Sequence, residues 1–251
     1  MCEMFGVSSG RTIDVARELK EFFKHGEFNP HGWGIASWND EGRITIDKEP
    51  VDSTKSEKIN SYLSSGYNCR GMIAHIRRAT IGYVEYKNTH PFIAHDLNWC
   101  EWVFAHNGTI FESDELLPYA DIQSGSTDSE RILLYILDQN KGIRDEVSRF
   151  KLLDSIAVRL SDKNKLNFLA FDGLNLYIHK NEAGTMYRKN NDGYVLFSTK
   201  PLDDGKWDEV PLNRLLVYRD GKLIYEGEVH YHTYIHDEEQ MNILYMGYSE
   251  L

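Results

Sequence analysis

Apolar residues recur along this chain in two rhythms, and each rhythm predicts a kind of element. A short apolar start at residues 4–7 predicts a strand, and TIDVARELKEFFKHG then returns its apolar side chains at helical spacing, with Thr12 or Asp14 available as a cap. HGWGIASWND alternates as a strand, Glu41-Gly42 turns the chain, and RITIDKEP comes back, which predicts a hairpin. DSTKSEKINSYLSS predicts a polar helix, CRGMIAHIRRAT a buried strand that ends in charge, and WCEWVFAHNGTI a strand stopping at Asn107-Gly108. In STDSERILLYILDQNKG, capping residues precede Ile132, Leu133, Ile136 and Leu137 on one face, so a helix is expected, with a second long one in IRDEVSRFKLLDSIAVRL. Downstream, KLNFLAFDGLNLYIHK and NRLLVYRDGKLIYEG predict hairpins turning at Asp172-Gly173 and Asp220-Gly221, and GYVLFSTKP a strand between them. Strands outnumber helices and the two long helices sit together mid-chain, which predicts an α+β layering of antiparallel sheets with helices on their faces.

Composition narrows this picture. A chain of 251 residues can bury one good-sized core, and 41% hydrophobic with 27% charged residues is an ordinary globular mix. The 28 basic and 39 acidic residues leave a net charge of -11, which disfavours nucleic acid or an anionic membrane as the main partner. No apolar run reaches the roughly 20 residues of a membrane span, and MCEMFGVSSGR lacks the basic region and apolar core of a signal peptide, so a cytoplasmic location is expected. Cys2, Cys69 and Cys100 show no CxxC spacing, so reduced thiols are expected rather than a disulfide framework or a zinc cluster.

Four stretches carry candidate chemistry. Cys2 follows the initiator methionine, and removal of Met1 would leave a thiol and a free α-amine on one residue. An α-amine titrates near ~8 and can act as base for the thiol beside it. Taken alone, Cys2 reads equally as a small residue tucked into the first strand. AHIRRAT closes a strand with Arg77 and Arg78, of which alternation turns one inward, and a guanidinium fork suits an α-carboxylate. FAHNGTI places the side-chain amide of Asn107 beside the unobstructed backbone N–H of Gly108, a pair that can form an oxyanion hole as well as a simple turn. GSTDSE sets Asp128 at a helix start, where an acid also stabilises the helix dipole.

Together, the N-terminal Met-Cys, the strand ending HxRxAT, the HNG turn and the SxDSE-like helix start resemble the glutaminase domain of class II glutamine amidotransferases, of the N-terminal nucleophile hydrolases. GWGIASW, NTHPF and FSTKPLDD…LLVYRDGKL are similar to stretches of these domains too, so the resemblance covers most of the chain. It implies a four-layer αββα sandwich of two antiparallel sheets, with residues 2–251 as a single glutaminase domain lacking the separate acceptor domain of larger members. It further implies that Cys2 attacks glutamine's side-chain amide, that Asn107 and Gly108 hold the oxyanion, and that Arg77 binds the α-carboxylate and Asp128 the α-ammonium. Thr80 and His90 would line the glutamine pocket. The implied substrate is glutamine or another γ-glutamyl small molecule, with ammonia passed to a partner protein. No cofactor or metal is implied. Two rival readings stand beside this one, a hydrolase of a larger γ-glutamyl amide or peptide and a catalytically silent binding subunit, the second if Met1 is retained.

Other features read blandly. HYHTYIHDEE carries His230, His232 and His236 near Asp237, and an alternating strand would put His230 and His232 on one face, yet no further ligand completes a metal set, so solvated histidines are expected. Cys69 and Cys100 flank strands and read as core. The 12% aromatic residues fit sheet packing.

Overall fold

The computed structural model describes residues 2–239 and Asn242. In chain order the elements begin with β1 (Glu3–Asp14), α1 (Ala16–Lys24), β2 (Trp33–Trp38), β3 (Ile44–Glu49), α2 (Glu57–Ser65) and β4 (Asn68–Ile76). They continue with β5 (Phe92–His95), β6 (Glu101–His106), α3 (Asp128–Gln139), α4 (Glu146–Ser161), β7 (Phe168–Phe171) and β8 (Leu176–His179). The last are β9 (Tyr187–Asn191), β10 (Tyr194–Ser198), β11 (Asp208–Glu209), β12 (Leu216–Arg219) and β13 (Lys222–Glu226). Two antiparallel sheets result, ordered β11-β9-β10-β1-β4-β2-β3 and β13-β12-β8-β7-β6-β5.

Three cores separate four layers. Met4, Ile73, Ala105, Leu169 and Phe197 fill the space between the sheets. Phe5, Met72 and Ile76 pack with Leu19 and Phe22 of α1, and Phe104 and Phe168 pack with Ile132 and Ile136 of α3 and Leu153 of α4. Successive residues of a strand point to opposite faces, so a strand buried on both faces needs apolar side chains at nearly every position. For that reason residues 3–9 of β1 are buried without interruption, where a strand with one wet face would alternate. The αββα sandwich is thus borne out.

The predicted elements are present, with local corrections. Thr12 lies inside β1 with its hydroxyl on Asp40, while the Asp14 carboxylate accepts the Ala16 N–H at 3.0 Å, so Asp14 and not Thr12 receives the start of α1. Asp52 opens a separate 3-10 turn over Ser53–Lys55, and Ser56 caps α2 through the Ile59 N–H. Three strands carry no advance signal: β5 is four residues long, β11 two, and β9 is the polar run YRKNN. Asp220 and Gly221 both adopt positive φ, 52° and 76°, as the predicted tight hairpin turn requires. Among the described residues no helix is long and apolar enough to cross a membrane.

Candidate functional site

The register of β1 against β4, with Glu3 opposite Ile76, carries the chain start to the end of β4. There the half-exposed Cys2 sulfur accepts the Arg78 backbone N–H at 3.2 Å and lies 3.3 Å from the Arg78 carbonyl. Position 1 is outside the described residues, so the expected removal of Met1 has no structural counterpart.

The second half of the site comes from the other sheet. After β6 the Asn107 N–H donates to the Asn167 carbonyl at 2.8 Å, and Thr109 exchanges backbone bonds with Lys165 at 3.0 and 3.2 Å. These bonds fix the Asn107-Gly108 turn from both sides. They leave the buried side-chain Nδ2 of Asn107 without a protein partner. A donor buried in this way costs free energy unless something else accepts from it. Gly108 is required by space: a Cβ there would stand 2.1 Å from the Lys165 carbonyl oxygen and 2.3 Å from His106 Nε2.

Two contacts join the halves. His75 Nε2, near the end of β4, donates to the His106 carbonyl at 3.2 Å, and the Thr80 and Thr109 hydroxyls meet at 3.3 Å. Cys2, Thr80, Asn107 and Gly108 therefore gather at one end of the sandwich.

Arg77 is buried, and its guanidinium donates to three successive carbonyls, those of Ile81 (2.9 Å), Gly82 (3.1 Å) and Tyr83 (2.8 Å). Arg78 stays half-exposed and reaches the Phe28 carbonyl, so one arginine does turn inward and the other outward, though both lie past the end of β4 and strand alternation is not the cause. The fork of Arg77 shapes the 81–83 loop, and Asn88 ties the same loop to the start of α3 by bonding the Tyr83 carbonyl, Ser126 Oγ and the Ser126 N–H.

At that start Thr127, not Asp128, is the cap, accepting the Glu130 N–H at 3.2 Å. Asp128 is buried, with one carboxylate oxygen on the Ser129 N–H (2.9 Å) and the other on the Ile110 N–H (2.8 Å), two residues past Gly108. The first oxygen also lies 3.3 Å from the Ser129 hydroxyl, so the oxygen on Ile110 is the one that keeps a lone pair an ammonium could use. Asp128 thereby links the helix start to the Asn107-Gly108 turn, a structural role beyond that of a dipole-stabilising acid.

His90 is buried, stacked on His75 at 4.2 Å and edge-on to Phe92, with neither ring nitrogen bonded within the protein. Burial and the neighbouring cations hold these rings neutral: His75 is pushed down to about 3, and His90 and His106 below their ordinary value. His106 is held by Ser129 Oγ on Nδ1 and by the Lys165 carbonyl on Nε2, which fixes a tautomer with the proton on Nε2. This histidine layer under the turn was not foreseen, because His75 and His106 read as ordinary strand residues. Glu3, buried beside Cys2, was missed for the same reason.

The tail histidines go to separate partners. His230 is buried with Nε2 3.0 Å from His179 Nε2, His232 faces Asp162 at 3.1 Å, and His236 faces Glu182 at 3.7 Å. The expected solvated set is thus corrected for His230, and no strand forms at residues 230–236. Among the described residues no group of three or more His, Cys, Asp or Glu side chains could hold a metal. Cys69 is buried in β4, and Cys100 donates to the Asp172 carbonyl at 2.8 Å.

Comparison with known proteins gives the chain's family and fold relatives. The family model described as glutamine amidotransferases class-II matches residues 1–190. A Haemophilus influenzae protein provisionally named a glutamine amidotransferase is 28% identical, over 90% of this chain and 87% of its own. The gamma-glutamyl-hercynylcysteine sulfoxide hydrolase of Mycolicibacterium smegmatis is 26% identical, over 80% of this chain and 83% of its own. In structure, the glutamine phosphoribosylpyrophosphate amidotransferase of B. subtilis superposes with a TM-score of 0.68 at 19% identity, over 89% of this chain. The match spans 48% of that enzyme's length, so what is shared is the fold of about half of it.

Proposed function

Because the chain belongs to the class-II glutamine amidotransferase family, we propose that it hydrolyses the side-chain amide of glutamine through Cys2. With Met1 removed, the α-amine of Cys2 takes the thiol proton as sulfur attacks the amide carbon. The oxyanion is stabilised by Asn107 Nδ2 and the Gly108 N–H, and the proton passes to the departing nitrogen, releasing ammonia. Water then hydrolyses the γ-glutamyl thioester to glutamate and restores the thiol. Arg77 binds the α-carboxylate and Asp128 the α-ammonium, while Thr80 and His90 border the pocket. Residues 2–251 act as one glutaminase domain, and the ammonia goes to a separate acceptor protein.

The observation that carries this reading is the buried, unpartnered Nδ2 of Asn107, at the same end of the sandwich as Cys2. A tetrahedral oxyanion is a partner of the right chemistry for that donor. The test is intact mass and peptide mapping after incubation with a glutamine-mimicking diazoketone, alongside glutamate release by Cys2→Ala. Loss of Met1 with a single adduct on Cys2, and an inactive Cys2→Ala variant, is the expected result. A retained Met1, or turnover by Cys2→Ala, overturns the reading in favour of a binding subunit or another nucleophile.

A second reading keeps the chemistry and changes the leaving group to the rest of a larger γ-glutamyl compound. The mycobacterial relative, whose name specifies such a hydrolase, favours it. A clamp on the glutamyl end is common to both substrates, so a panel of glutamine and γ-glutamyl amides decides between them by kcat/KM.

A further inference from the structure

Glu3 is an anomaly of placement. It sits on the face of β1 that packs against α1, next to Phe5, where the other side chains are apolar, and it is only 2% exposed. Burying a carboxylate there costs free energy that an apolar residue of similar size would avoid. Its two oxygens are taken by Lys200 at 2.6 Å and His25 at 2.7 Å. Together these bonds outweigh the burial that opposes ionisation and hold the carboxyl below its ordinary range.

The partners come from two other segments. Lys200 follows β10, where Thr199 binds Met4 through both its hydroxyl (2.9 Å) and its N–H (3.0 Å). His25 follows α1 and opens the 3-10 turn His25–Phe28, whose Phe28 carbonyl receives the Arg78 guanidinium. Arg78 in turn donates its N–H to the Cys2 sulfur. A closed ring of contacts therefore runs from Cys2 through Glu3, His25, Phe28 and Arg78 back to Cys2.

We propose that Glu3 is a positioning residue for the nucleophile, pinning the first residues of β1 between Lys200 and His25 so that Cys2 meets the oxyanion turn at a fixed distance. The inference rests on Cys2 being the nucleophile. Once Met1 is gone, Cys2 has no preceding residue to restrain it, and its neighbour is the first anchor. A misplacement of the order of 1 Å costs about 100-fold in rate. The groups around this start are Arg77 and Arg78 just past β4, His25 after α1, Lys200 after β10, and the buried Lys165, which interacts electrostatically with Cys2.

The test exploits the cost of the buried charge. Glu3→Met replaces the carboxylate with an apolar side chain on an apolar face, and Glu3→Gln keeps the shape without the charge. Both are assayed on chains confirmed by mass to lack Met1, with Lys163→Met, an exposed pair to Glu112, as control. A merely structural residue would move stability and activity together. For a positioning residue, kcat and the rate of diazoketone labelling at Cys2 both fall by about 10- to 100-fold in Glu3→Met and Glu3→Gln with KM within about 2-fold, at temperatures where the melting curve shows each variant fully folded. Folded Glu3→Met and Glu3→Gln proteins with kcat and labelling within about 2-fold of the parent would overturn the proposal alone. A parent protein that neither labels at Cys2 nor releases glutamate would overturn the underlying reading with it.

Discussion

The sulfur of Cys2 lies 3.2 Å from the backbone nitrogen of Arg78, so the side chain just before β1 is received by the residues just after β4. The neighbouring Arg77 turns inward and Arg78 outward, which puts a buried cation and a half-exposed thiol at one strand end. Thr80 and His75 then reach across to Thr109 and His106 in the second sheet.

Asn107→Ala removes the one side-chain donor of the turn and leaves its backbone bond to Asn167 in place. Loss of an oxyanion donor costs about 100- to 1000-fold in kcat. Steady-state glutaminase kinetics should show that fall with little change in KM and in the unfolding midpoint.

Gly108→Ala acts through space. The added methyl must displace the Lys165 carbonyl or the His106 ring, both held by their own bonds. Overpacking of this kind costs about 1–3 kcal/mol, so urea unfolding should report a loss of that size together with a drop in kcat.

Arg77→Lys keeps the charge and removes the fork. An ammonium cannot serve the carbonyls of Ile81, Gly82 and Tyr83 with the guanidinium's geometry, so the 81–83 loop beside the proposed pocket loosens. Hydrogen bonds to a charged group are worth about 1.5–3 kcal/mol, so kcat/KM should fall about 10- to 150-fold, mostly through KM.

Buried neutral histidines make stability depend on acid. Burial pushes His75 and His179 down to about 3 and His230 down to about 4, and holds His90 and His106 low as well. The unfolded chain takes up these protons near pH ~6.5 and the folded chain does not, so the stabilisation is complete above that pH and is lost as pH falls toward the folded values. Each such histidine contributes a slope of about 1.4 kcal/mol per pH unit within its window. Urea midpoints measured from pH 7 to pH 4 should decline steadily, and His179→Gln should flatten the decline if it folds.

The three thiols should separate by reactivity. Burial pushes Cys69 up to about 12, and burial with the nearby Asp172 and Asp96 pushes Cys100 up to about 11, so both stay protonated at pH 8. Brief iodoacetamide treatment followed by peptide mapping should find label on half-exposed Cys2 first and on Cys69 only after unfolding.

Much of this was legible in the residues themselves. Alternation and helical spacing are local, so the hairpins at Asp172-Gly173 and Asp220-Gly221 and the long helices α3 and α4 could be read directly. The candidate side chains were legible because Met-Cys, HxRxAT, HNG and SxDSE each keep their chemistry within a few neighbouring positions. What tertiary structure alone decided is everything that depends on contact between distant segments. No local rule distinguishes β9 or β5 from loop, because β9 is polar and β5 short, and each becomes a strand by pairing with β10 or β6. Nor does sequence spacing reveal that the guanidinium of Arg77 holds its own downstream loop, that the Lys165 carbonyl leaves room only for glycine at 108, or that Glu3 finds Lys200, 197 positions away. Hydrophobic period reports which face of an element is buried, whereas a site is made where two sheets end together, and that meeting is a property of the packed layers.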